Sequence, residues 1–189
     1  MVVDKQFISA EKFLELVEQP QYVDRVVELV EGEIVEMSLP GGEHGEILML
    51  IASKIANFVY ENSLGRVTSG DTGFILERSL DGRDTVRGID IAFVSFAKAP
   101  NPFVSKLVDV PPDLAVEVIS PSNKAADIEL KIWQLLNAGT ALVWVVYPDT
   151  RNVLVRSASG AKTLHENDTL SGGDVLPGFE IRVGDIFPT

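Results

Sequence analysis

A mixed β-sheet with helices packed on its faces, an α/β fold in the α+β sense, is the architecture this sequence predicts. Three observations carry it. Apolar runs of strand length alternate with stretches of helical periodicity in the order helix, hairpin, long helix, strands, helix, strands. Residues 86–94, 114–119 and 141–147 are apolar almost throughout, as strands covered on both faces are. The 189 residues, 46% of them apolar, suffice for a single domain spanning 1–189 with its core at about 26–147.

Each element has its own signal. Ser9 caps a short helix whose Phe13, Leu14, Leu16 and Val17 face inward. Two β-rich runs, 26–30 and 33–37, meet at Glu31-Gly32, a hairpin connection. Pro40-Gly41-Gly42 breaks the pattern. Ile47, Leu48, Ile51, Ile55, Phe58 and Val59 then recur at helical spacing and predict an amphipathic helix over 44–62, with Gly65 as its stop. Short strands at 66–69 and 73–77 precede a turn at Asp81-Gly82 and the strand 86–94. The aperiodic, proline-containing stretch 97–112 reads as a long loop. After the strand 114–119, Ser120-Pro121-Ser122-Asn123 ends it and caps a helix to about Asn137, closed by Gly139. The apolar strand 141–147 leads into a hairpin-rich tail with strands at 152–156 and 179–183.

Sixteen Lys and Arg against 28 Asp and Glu give a net charge of −12. So acidic a chain offers nucleic-acid phosphates little general attraction, and a nucleic-acid partner requires local compensation. With no cysteine, disulfides, thiolate metal sites and a cysteine nucleophile are excluded. There is no HExxH, no GxGxxG opening a helix after a strand, no GxxxxGKS/T phosphate loop and no GxSxG elbow. No apolar run reaches the roughly 18–20 residues of a membrane helix. The first residues carry no signal-peptide pattern. No membrane association is therefore expected, and a cytoplasmic location fits.

Asp90 and Glu117 are the most informative residues. Each is the only charge in an apolar run, Ile89-Asp90-Ile91-Ala92-Phe93-Val94 and Leu114-Ala115-Val116-Glu117-Val118-Ile119. A buried carboxylate normally neutralises, pairs or binds metal. Two of them in neighbouring strands repel unless a cation lies between them. Carboxylate ligands suit Mg2+, Mn2+ or Ca2+. Taken singly, each acid is as well explained by solvent at a strand edge or by an arginine such as Arg87. The pair, with the helix that follows, favours a site. On that helix Lys131 borders the stripe Ala125, Ile128, Ile132, Leu135 and Leu136, so its ammonium either reaches the carboxylates or snorkels at the surface. His44, at the start of the long helix, is a phosphate contact, a ligand orienter or a polar cap. Glu28, in Val27-Glu28-Leu29-Val30, is a third acid in an apolar run, while Glu31, Glu33 and Glu36 read as solvated hairpin charges.

These residues resemble the Uma-two family of endonuclease-like proteins. The resemblance rests on Glu28-Leu29-Val30-Glu31-Gly32-Glu33-Ile34, His44, Arg87-Gly88-Ile89-Asp90-Ile91-Ala92-Phe93-Val94 and Pro112-Asp113-Leu114-Ala115-Val116-Glu117-Val118-Ile119-Ser120-Pro121-Ser122. Asp127, Lys131, Ala138-Gly139, Trp144-Val145-Val146 and Leu176-Pro177-Gly178-Phe179 extend it over about residues 7–187. The family lies in the PD-(D/E)XK superfamily, so the resemblance implies a restriction-endonuclease-like core: a central mixed sheet flanked by helices, with metal-binding acids on adjacent strands. By position Asp90 is the motif aspartate and Glu117 the acid that follows, both on Mg2+ or Mn2+. Ile119 stands where the motif lysine is expected, and the family's lysine from the next helix falls on Lys131. Glu28 and His44 match its hairpin glutamate and loop histidine. Ile89 replaces a proline, and Leu135 an aromatic residue.

The resemblance thus implies a metal-dependent endonuclease hydrolysing DNA phosphodiesters, with Lys131 assisting; Glu28, whose role the resemblance leaves undefined, would complete the metal shell or serve as base. Cutting both strands implies a homodimer. A rim of Arg83, Arg87, Lys98, Lys106 and Lys124 would offset the acidic chain. The acidity, the missing motif lysine and Leu135 suit instead a catalytically weak binding or assembly module with a protein partner. RNA or a small phosphodiester is the alternative substrate.

Overall fold

The computed structural model describes residues 7–188. In chain order the elements are α1 (Ala10–Val17), β1 (Val26–Val30), β2 (Glu33–Met37), α2 (Gly42–Glu61), β3 (Gly65–Glu77), β4 (Thr85–Ser95) and β5 (Leu114–Val118). Then follow α3 (Ala125–Ala138), β6 (Leu142–Tyr147), β7 (Asn152–Ser157), β8 (Gly160–His165), β9 (Thr169–Ser171), β10 (Glu180–Arg182) and a 3-10 turn at Val183–Ile186. Eight strands form one mixed sheet in the order β2-β1-β4-β5-β6-β7-β8, with β3 beside β4. β5 and β6 are parallel, with α3 as their crossover; the other neighbours are antiparallel. Among the described residues no helix is long and apolar enough to cross a membrane.

Local chemistry accounts for the elements. Ser9 caps α1 by accepting the Lys12 N–H. Glu31 and Gly32 have φ of 50° and 79°, the two-residue turn whose twist matches the strands it joins. On one face of the sheet α2 buries Ile47, Ile51, Ile55 and Val59, four residues apart, against Ile91, Phe93, Val116 and Trp144. The C-terminal segment completes that layer: the Phe179 ring stacks 5.9 Å from Trp144 and meets Phe58 edge-on at 5.4 Å. On the opposite face α3 packs Ile132 and Leu135 onto Ala92, Ala115, Val143 and Val145. Because Leu114, Val116 and Val118 face α2 and Ala115 faces α3, alternation turns Glu117 towards α3.

Two local expectations are corrected. Residues 66–69 and 73–77 belong to one strand, β3, interrupted by a bulge. Ser69 pairs with Ile91 and Thr72 with Ile89, so Gly70 and Asp71, with φ of 79° and 56°, stand together opposite Asp90. Gly88 makes room for this bulge, since a Cβ there would meet the Asp71 carbonyl oxygen at 3.2 Å. The second correction concerns the α3 cap. Its N-cap residue is Lys124, without a side-chain hydrogen bond, while Asn123 Oδ1 accepts the Ser120 N–H and tightens the β5–α3 connection.

One departure from a regular sheet positions everything below. β3 covers one whole edge of β4. On the other edge β1 pairs only through Leu29 and Val86, and β5 only through residues 91–93. β1 and β5 therefore share an edge and part from it around residues 87–90, leaving a fork.

Leu135, where the resemblance expects an aromatic residue, is wholly buried between α3 and the sheet. We expect Leu135→Ala to cost about 2–5 kcal/mol. The measurement is the midpoint of urea unfolding at unchanged slope; a shift within error would show that α3 does not seat on the sheet as described.

Candidate active site

Carboxylates line the fork because backbone amides there lack strand partners. The Gly88 N–H donates to Glu28 Oε1 at 3.0 Å, and the Val118 N–H, at the end of β5, donates to Asp90 Oδ2 at 2.6 Å. Each carboxylate takes the place of a ladder bond that a buried amide cannot forgo. A cavity of about 100 Å³ opens at this point, and Glu28, His44, Asp71, Asp90, Glu117 and Lys131 all line it. All five side chains singled out in the sequence meet there.

Four acids face two permanent cations. Arg87, 5% exposed, donates to Glu28 Oε2 at 2.7 Å and to Gln134 Oε1 at 2.8 Å. Lys131 Nζ donates to Glu117 Oε2 at 2.6 Å and lies 3.4 Å from Glu28 Oε1. His44 Nε2 is 3.4 Å from Asp90 Oδ1. With every carboxylate ionised and His44 neutral, the cluster carries two negative charges in excess.

Titration follows from this imbalance. Burial pushes Glu117 up to about 8 against the pull of Lys131. Burial of the Asp71 carboxyl against the cavity, with repulsion from Asp90, pushes it up although the residue as a whole is exposed. Burial acts the same way on Asp90, but His44 and the Val118 N–H outweigh it and hold Asp90 below the usual carboxylate range. The contact with Asp90 raises His44. Burial lowers Lys131, but the Glu117 and Glu28 carboxylates outweigh it and hold the ammonium above the usual lysine range. Burial thus favours a proton on Glu117, which would relieve one of the two surplus charges.

A divalent cation is the other way, and the donors fit one. Glu117 Oε1 is buried without a hydrogen-bond partner and belongs to a residue lining the cavity. Asp90, Asp71 and Glu117 offer only oxygen, the preference of a hard ion. Among the described residues no three His, Asp or Glu side chains form a ready ligand set. Mg2+ keeps several waters and takes one or two carboxylates, so two acids suffice for it.

The structure corrects the expected basic rim. Arg87 is buried against Glu28 and is no rim residue. Arg83 pairs with Asp81 and covers the Phe7 ring; Lys106 pairs with Glu18. Lys98 pairs with Asp113, which anchors the far end of β4 through the Ser95 N–H. Among the described residues Lys124 alone of the five has no carboxylate partner. Sequence reasoning missed Asp71 and Gln134. The Ser69-Gly70-Asp71-Thr72 run between two strand segments of one register was the available signal for the bulge that carries Asp71. Gln134 had none.

A family model, Uma2, described as "Putative restriction endonuclease", matches residues 10–184. The chain belongs to the Uma2 family. Its fold is similar to the crystal structure of a "putative nuclease belonging to DUF820" from Anabaena variabilis, with a TM-score of 0.80 at 20% sequence identity. That match covers 95% of this chain and 97% of the other. No protein with a curated description matches the chain. Ile119 directly follows β5, and Lys131 on α3 reaches the Glu117 carboxylate.

Glu117 gives this Uma2 protein a distinct pH response. Its folded value near 8 lies above the ordinary 4.5, so the stability contributed by its buried carboxylic acid is fully present below pH 4.5 and lost as pH rises through about 8. In EDTA, the melting temperature of Glu117→Gln should gain on that of the wild type across this window. Parallel curves would contradict the assignment.

Proposed function

We propose that the fork is the active site of a metal-dependent endonuclease hydrolysing DNA phosphodiester bonds. The observation that supports this most is Glu117: buried, 8% exposed, with one oxygen on Lys131 and the other unpartnered at a cavity rich in acids. Membership of a family described as a restriction endonuclease gives the chemistry its direction.

In this reading Asp90 and Glu117 hold Mg2+ or Mn2+, with Asp71 as a further oxygen donor at the rim. An ion held there would supply Lewis-acid polarisation of a phosphate oxygen and a water of lowered pKa. Lys131, whose ammonium lines the cavity beside Glu117, would hold a phosphate oxygen and offset the charge that develops on it. His44 fixes the Asp90 carboxylate. Glu28 has both oxygens engaged, by the Gly88 N–H and by Arg87, with Lys131 close to the first. Its role is therefore to keep the lysine in the cavity, not to complete a metal shell.

The paired rim cations favour a second reading, a binding module with little activity, and one experiment separates the two. Supercoiled plasmid and its heat-denatured form are incubated with Mg2+ or Mn2+ and wild type, Glu117→Ala or Lys131→Ala. Cleavage by the wild type that falls by about a hundredfold or more in each variant is expected. Cleavage unchanged in Glu117→Ala contradicts the endonuclease reading, and none by any form favours the module.

A further inference from the structure

We infer that the substrate is a flexible single strand of DNA, or a locally unpaired stretch of it, and not intact duplex. The inference rests on the endonuclease reading and narrows its substrate class. Duplex binding draws on many phosphate contacts from Lys and Arg. This chain, at −12, has few to give. The cations inside the cavity are engaged by Glu28 and Glu117, and four of the five expected rim cations are engaged by carboxylates. A substrate held here is held through one or two phosphates.

Neutral polar side chains line the cavity beside the acids. Ser38, after β2, and Ser120 and Asn123, after β5, line the cavity on either side of the fork. Ser122 joins them: its hydroxyl lies 2.8 Å from that of Ser38 and 3.0 Å from that of Ser120. A chain of hydroxyls thus ties the two walls together. Such groups contact phosphate and sugar without adding charge. To react, a phosphate must descend past them to Asp90 and Glu117, which are 5% and 8% exposed. Duplex DNA is stiff and cannot turn one phosphate into so small a recess without costly deformation. A single strand rotates its backbone freely.

Leu39 supplies an independent observation. It is 81% exposed, between Ser38 and Pro40, both of which line the cavity. An apolar side chain left in water beside a polar mouth can cover the face of a nucleobase. That face is hidden in a stacked duplex and available in a single strand.

The test uses one sequence as a single strand, as a duplex and as a duplex with a central mismatched bubble, plus a matched RNA strand. Cleavage is followed in Mn2+ over a range of salt, and binding by fluorescence anisotropy in Ca2+. The strand and the bubble should be cut at least about tenfold faster than the duplex. The salt dependence should have a logarithmic slope shallower than about −2. Leu39→Ser should raise KM for the strand at unchanged kcat; an unchanged KM removes Leu39 from the entrance. Duplex cut as fast as strand, with a steep salt slope, overturns the inference, and RNA cut as fast as DNA overturns its assignment to DNA. If nothing is cut, the endonuclease reading fails and binding decides only the preferred ligand: tighter binding of strand than of duplex upholds the preference for unpaired DNA, and equal binding, or binding of neither, overturns it.

Discussion

The site depends on how one edge of β4 is satisfied between its contacts with β1 and β5. In an unbroken sheet the amides of Gly88 and Val118 would belong to ladder bonds; here Glu28 and Asp90 accept them instead. Everything else follows from that substitution. A carboxylate that replaces a strand partner is buried with the strand, and a buried charge needs a partner of its own. Arg87 answers Glu28, His44 answers Asp90, and Lys131 answers Glu117. Among the described residues Asp71 has no such answer, and His44 when neutral carries no charge. With every carboxylate ionised, four acids face two permanent cations, and the cluster falls short by the charge of one divalent ion. The unpartnered oxygen of Glu117 lies at that shortfall.

The two faces of the sheet deliver different parts of this cluster. α2, seated by four aliphatic residues one turn apart, brings His44 in its first turn to Asp90. α3, seated by Ile132 and Leu135 on the opposite face, brings Lys131 and Gln134. The apolar layers on both sides keep water away from the cluster, so each charge acts over a lower effective dielectric than at the surface. Repelling acids persist only where packing holds them, so the cluster draws on the stability of the core.

The sheet and its helices were legible because hydrophobic periodicity is local. So were Asp90 and Glu117, whose charge contradicts the apolar strands around them, and Lys131, which borders a helical stripe. Asp71 was not, because a bulge written as Ser69-Gly70-Asp71-Thr72 looks like the end of one strand and the start of another. The basic residues misled for a different reason. Arg87 finds Glu28 59 residues away, and Lys106 finds Glu18 at a separation of 88. No local pattern distinguishes a cation with a distant partner from one free to meet phosphate, so the basic rim dissolved once the chain was folded.

The central claim is that the fork is a carboxylate site one divalent ion short of balance. Calorimetric titration of Mn2+ into the wild type and into Asp90→Ala, in two buffers of different ionisation enthalpy, tests it most directly. The account predicts saturable binding by the wild type accompanied by proton release, since the ion displaces the proton that burial leaves on Glu117, and loss of that binding in Asp90→Ala. Binding that survives in Asp90→Ala, or no binding by either protein even with a short DNA strand present, would contradict it.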